Sequence, residues 1–188
     1  WGCYKYWMGL ELPPGRTPSY WHIAFWSNVP AGPIEPDYSR PEVLLHQIRV
    51  QPSEVEVVWV GNDMFPNPDM IPESCFQYYV HFKPEDYFWQ DRYVSTTTGD
   101  TVFWISITAV YDGFPGPQYP WGWKTRPEHW MDDGVRFRTT RAGWNIGDVI
   151  DPAIVVPIED GSICGIVESY DLAFELDTDP EYIKWSKI

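Results

Sequence analysis

"TVFWISITAVY", Thr101 to Tyr111, decides the fold class. Phe103, Ile105, Ile107, Ala109 and Tyr111 share one parity, and Trp104, Ser106 and Thr108 share the other. Successive side chains of a strand point to opposite faces, so this split predicts a strand in an antiparallel sheet with one side packed on a core.

The same period recurs in both directions along the chain. "YWHIAFW" sets Trp21, Ile23 and Phe25 against His22 and Ala24, and "EVLLHQIRV" alternates less cleanly, with Leu44, Ile48 and Val50 against Leu45, Gln47 and Arg49. "EVEVVWV" puts Val55, Val57 and Trp59 together, and "CFQYYVHF" sets Phe76, Tyr78, Val80 and Phe82 against Cys75, Gln77, Tyr79 and His81. Nearer the C-terminus, "GVRFR" and "SYDLAFEL" alternate in the same way. Each reads as a half-buried strand.

Pro/Gly-rich loops separate these strands, among them "ELPPGRTPS", "SNVPAGPIEPDYSRP" and "DGFPGPQYPWG". Proline pre-sets φ, so such loops can be ordered without being helical. Helix is scarce; "KPEDYFWQ" allows one turn with Pro84 near its start. Seven or eight short strands predict an all-β, two-sheet antiparallel β-sandwich, jelly-roll-like, with long Pro/Gly-rich loops. A chain of 188 residues is of single-domain size.

Composition narrows the function classes. Thirteen Lys+Arg against 27 Asp+Glu give a net charge of −14, so nucleic acid is not an expected partner. No run approaches the roughly 18 apolar residues of a membrane-spanning helix, so no membrane insertion is expected. Trp1 is neither an initiating Met nor the start of a signal peptide, and the chain reads as an internal or processed start. Cys3, Cys75 and Cys164 contain no C-x-x-C spacing; one disulfide plus a free thiol, or three buried thiols, fit equally.

Motifs for catalysis are weak. There is no G-x-S-x-G elbow, and His22, His46, His81 and His129 have no metal-binding spacing. Adjacent Asp132 and Asp133 in a strand would face opposite ways and could not act as an acid/base pair. In a turn they become a weak Ca²⁺ candidate, although no cofactor is required. The expectation is a protein that is not an enzyme.

With 12 Trp, 12 Tyr and 9 Phe, aromatics abound. If exposed, Trp26, Trp104, Trp121, Trp123, Trp130 and Trp144 could stack on sugar faces, making a carbohydrate-binding module of a secreted multidomain protein the alternative reading. The same rings could instead cover a core. "WGWKTRPEHWMDD", residues 121–133, reads as a connection clamped to the sheet by Trp121 and Trp123, with Lys124 and Arg126 near Asp132 and Asp133.

The ordered blocks "WHIAFWSNVPAG", "YSRPEVLLHQ", "SCFQYYVHF", "DYFWQ", "VFWISITAVYD", "WGWKTRPEHWMDDGVRF" and "DLAFEL" resemble an uncharacterised domain of large secreted proteins of planctomycetes and related environmental bacteria. The resemblance spans residues 1–176. It implies export and an extracellular or cell-surface setting, often beside dockerin-type repeats or sorting signals, and brings no activity or catalytic residue. Two departures stand out. Family members usually begin with a strand before the part matching "WGCYKYWMGL", and they tend to carry a second cysteine where this chain reads "NPDMIPES".

The first departure directs attention to residues 177–188. After "DTDP" the chain resumes with "EYIKWSKI", whose Ile183, Trp185 and Ile188 are apolar for a solvated end, and the family places a similar Lys-Trp-Ser stretch before its first strand. Residues 1–176 are therefore expected to form one sandwich lacking a first strand. Residues 177–188 are a candidate donor strand or a linker. The expected function is a structural or adhesive module, self-assembling head to tail into a filament by strand complementation. Its partners would be copies of itself or other surface proteins, and in the alternative reading a polysaccharide.

Overall fold

In the computed structural model, the described residues are 2–4, 7–8, 12–32, 38–64, 72–93, 102–113, 115–126, 134–137, 149–158, 171–172 and 176. Among them there are eleven strands and no α-helix. The architecture is the expected antiparallel sandwich, with an added third layer.

Sheet A has the order β4-β5-β1-β7, formed by Val55–Met64, Pro72–Val80, Gly2–Tyr4 and Trp121–Trp123. Sheet B has the order β3-β2-β6, formed by Arg40–Val50, Tyr20–Val29 and Phe103–Val110. Every pairing is antiparallel. The inner faces meet in one cluster: Trp21, Ile23 and Phe25 of β2 with Ile48 and Val50 of β3, against Val55, Tyr78, Val80 and Trp121 from sheet A. Ile105, Ile107 and Ala109 of β6 join them, on the face the alternation assigns. Burying each large apolar side chain stabilises the fold by roughly 1.5–3 kcal/mol.

The other face of sheet B is also covered. Val135–Phe137 (β9) pairs with Val155–Pro157 (β10), and this ribbon lies over Ala24 and Trp26. Val135, Phe137, Val155 and Ile150 pack there with Leu44 and Trp104. The Tyr38 hydroxyl donates to the Val155 carbonyl at 2.9 Å, and the Ile150 N–H donates to the Glu42 carbonyl at 2.8 Å, tying the ribbon to β3. β2 is thus buried on both faces, which its half-polar sequence alternation does not announce.

Register shifts set the faces, two between β2 and β3 and one between β4 and β5. Phe25 pairs with His46 but Trp26 pairs with Leu44, which leaves Leu45 as an extra residue. A one-residue slip exchanges faces, so Leu44 joins the outer cluster while Ile48 and Val50 join the inner one. The imperfect alternation of β3 records this bulge. In sheet A the register shifts between Trp59 and Gly61, and Gly61 has φ 135°, a conformation that favours glycine.

Within the stretch read as a connection, Trp121–Trp123 and Thr125–Arg126 form short strands, and Trp121 packs against the core cluster. β7 forms the edge of sheet A, and Thr125–Arg126 (β8) pairs with Asp171–Leu172 (β11). "KPEDYFWQ" does contain its expected turn, a 3-10 turn at Pro84–Asp86, and a second follows at Gln90–Arg92.

Candidate functional site

In sheet A, β1 is paired on both sides. Gly2 and Cys3 pair with Phe76 and Cys75 on one side, and Gly2 to Tyr4 pair with Trp123 to Trp121 on the other. Cys3 and Cys75, direct register partners, are joined by a disulfide with Cα atoms 4.4 Å apart. This resolves two of the three cysteines; Cys164 lies outside the described residues.

β5 runs on well past this contact. Gln77 to Val80 pair with Val58 to Val55 of β4. On their other side, among the described residues, no strand lies opposite them. This side of Gln77–Val80, the lane, continues the line of β1 along β5. Its inner wall is apolar, because Tyr78 and Val80 face the core, and Tyr79 is exposed on the outer face together with Val58 and Val60.

Polar groups gather at the inner end of the lane. Trp121 Nε1 and Tyr78 Oη are buried without a completed hydrogen bond, as is Trp59 Nε1 in the same sheet. The Tyr78 and Trp121 rings meet edge to face, with centroids 5.8 Å apart. Burial, reinforced by the neighbouring Tyr4 and Tyr111 phenols and opposed by the Trp121 indole, raises the Tyr78 phenol far above its ordinary range. Burial also raises Tyr4, with Tyr78 partly offsetting it. Tyr111 is pushed up to about 12 by burial, against the Trp121 backbone N–H that donates to its oxygen at 2.9 Å.

A second concavity lies against β3. It is a cleft of about 270 Å³ whose wall includes His46, Glu85, Tyr87, Trp89, Arg92 and Tyr93. Phe88 anchors this wall, stacked on Phe25 at 4.3 Å and 9° and packed against Tyr93 and Phe103. Tyr87 and Trp89, its chain neighbours, line the cleft. His46 Nε2 is 2.9 Å from the Asp86 carbonyl, which fixes the wall to β3.

The tryptophans nominated from sequence are differently placed. Trp26 is 2% exposed and donates to Ser106 Oγ at 2.9 Å, so it has no face for a sugar. Trp104 is half-buried beneath the third layer and donates to Asn28 Oδ1 at 2.7 Å. Trp121 belongs to the core cluster, and Trp123 is half-buried in β7. Trp130, Trp144, Asp132, Asp133, Ile183, Trp185 and Ile188 lie outside the described residues. The cleft residues Tyr87, Trp89 and Tyr93 went unnominated; the signal was "DYFWQDRY", whose aromatic density surrounds a single inward ring.

His22 Nε2 is 2.9 Å from Gln47 Oε1 and ties β2 to β3, while His46 ties β3 to the turn at Pro84–Asp86. Among the described residues no group of three or more His, Cys, Asp or Glu is placed to hold a metal ion. No helix among them is long and apolar enough to cross a membrane.

The profile of a family described as a domain of unknown function (DUF7901) matches residues 1–177, and the chain belongs to that family. No curated protein and no solved structure matches it.

Proposed function

We propose that this DUF7901 domain is a non-enzymatic structural or adhesive module of an exported protein, and that its copies join head to tail by strand complementation. What supports this reading is the β5 edge itself: among the described residues Gln77–Val80 pair with β4 alone, and their exposed and core-facing side chains alternate. Unpaired strand edges are templates for an added strand: backbone hydrogen bonds give affinity and alternate side-chain pockets give selectivity.

The donor we assign is residues 181–188, "EYIKWSKI", from a neighbouring copy. Ile183 and Trp185 share a parity, so both would face the core wall formed by Tyr78 and Val80, and Lys184 would face outward. An extracellular or cell-surface setting, in proteins of the planctomycete and dockerin-associated kind that the sequence resembles, belongs to the same proposal. The Cys3–Cys75 disulfide supports it weakly, since such bonds persist in oxidising compartments. The reading requires no cofactor, and Ca²⁺ has no assigned role in it.

Sedimentation of the full chain and of a chain lacking residues 181–188 tests the proposal. The full chain should form concentration-dependent large particles and the shortened chain should remain monomeric. Assembly unaffected by the deletion would contradict it.

A further inference from the structure

We infer that the cleft walled by the 83–93 segment is a binding site for a neutral pyranose ring, such as one unit of a surface polysaccharide. This inference is independent of strand complementation, because the cleft lies against β3 of sheet B and the lane lies in sheet A.

Three properties of the cleft point to this ligand. Size comes first: about 270 Å³ is just below the roughly 300–1,000 Å³ of sites for drug-sized molecules, which suits one ring better than an extended chain. Aromatic surface is the second. Tyr87, Trp89 and Tyr93 line the cleft, and the Tyr87 and Trp89 rings stand 6.1 Å apart at 60°, so two ring planes at an angle can bracket the apolar C–H face of a sugar.

Hydrogen-bonding capacity is the third. Sugar hydroxyls both donate and accept, so their site needs both kinds of group. Glu85 supplies carboxylate acceptors and Arg92 supplies guanidinium donors, while the phenols of Tyr87 and Tyr93 can do either. The Asp86 carbonyl can only accept, so His46 Nε2 donates in that bond. Arg92 stands over the Trp89 ring, 5.7 Å from its centroid, a cation–π contact that steadies both. With Glu85 and Arg92 both present, the wall carries charges of both signs, which suits a neutral ring better than an acidic one.

The wall is built rather than incidental. Phe88 is held in the core by its 4.3 Å stack on Phe25, and 3-10 turns at Pro84–Asp86 and Gln90–Arg92 flank it. Pre-organisation of this kind lowers the entropy cost of binding.

Calorimetric titration of the full chain with a panel of neutral methyl hexopyranosides and their short oligomers, alongside uronic acids, tests the inference. We expect saturable binding of at least one neutral sugar, weakened at least tenfold in Trp89→Ala while the circular dichroism spectrum is retained. Should Trp89→Ala fail to fold, Arg92→Ala provides the same reading from an exposed position. No binding to any neutral sugar, preferential binding of the uronic acids, or binding that survives in the folded variant would overturn it. Particle size measured in parallel separates this outcome from that of the assembly proposal.

Discussion

The indole of Trp121 lies over Gly2: a Cβ added to Gly2 would overlap the ring at Nε1, Cε2 and Cζ2. Trp121 is paired with Tyr4, so its side chain reaches diagonally along β1 to cover Gly2. The Tyr111 oxygen holds the Trp121 backbone N–H, and Tyr78 abuts the ring edge to face. These contacts fix β7 against β1 and close one end of the lane.

Gly2→Ala should therefore destabilise the domain by about 2 kcal/mol, the usual scale for overpacking a site that cannot relax freely. Chemical denaturation monitored by tryptophan fluorescence measures it. An unchanged midpoint would mean that the indole swings aside at no cost.

Reduction of Cys3–Cys75, or the Cys3→Ser/Cys75→Ser double variant, should cost about 4 kcal/mol on the chain-entropy account of a bridge with a sequence separation of 72. Denaturant midpoints with and without a reductant measure the effect. The loss should be felt most at β1, which the bridge ties to β5.

Tyr4, Tyr78 and Tyr111 all have phenols raised above their ordinary value of 10.0. The folded state then holds protons that the unfolded chain releases above that pH. Their contribution is fully present below pH 10.0 and is lost as pH rises, for Tyr111 through about 12. Thermal midpoints should fall with increasing pH above this point, and phenolate absorbance should show a late-titrating fraction that appears only on unfolding.

A net charge of −14 opposes association of like copies. Raising ionic strength from about 0.01 M to 0.15 M shortens the Debye length from roughly 30 to 8 Å. Assembly should be promoted over that range, and promoted further by divalent cations. Light scattering across a salt series measures it, and insensitivity to both would remove the electrostatic part of the account.

Much of the sandwich was legible because alternation is a local property. Ile105, Ile107 and Ala109 could be assigned to the core from "TVFWISITAVY" alone. Features that depend on distant partners were not legible. Leu44 changed faces because Leu45 is a bulge, and a bulge shows only against its partner strand. Trp26 read as partly exposed because its cover, β9 and β10, comes more than 100 residues later in the chain. Trp121–Trp123 read as part of a loop because three residues are too few to display a period. The cleft was visible only as aromatic density, since nothing local says that Phe88 turns inward while Tyr87 and Trp89 remain on the wall. The pairing of Cys3 with Cys75 likewise needed the strand order.

Hydrogen–deuterium exchange over Gln77–Val80 tests the central claim most directly, because an inserted strand must protect the amides that face the lane. In the full chain at assembling concentration this segment should exchange slowly. In the chain lacking residues 181–188 it should exchange faster, while the β2–β6 pairing stays protected, and a synthetic peptide of residues 181–188 should restore the protection. Equal exchange at Gln77–Val80 in all three samples would contradict strand complementation.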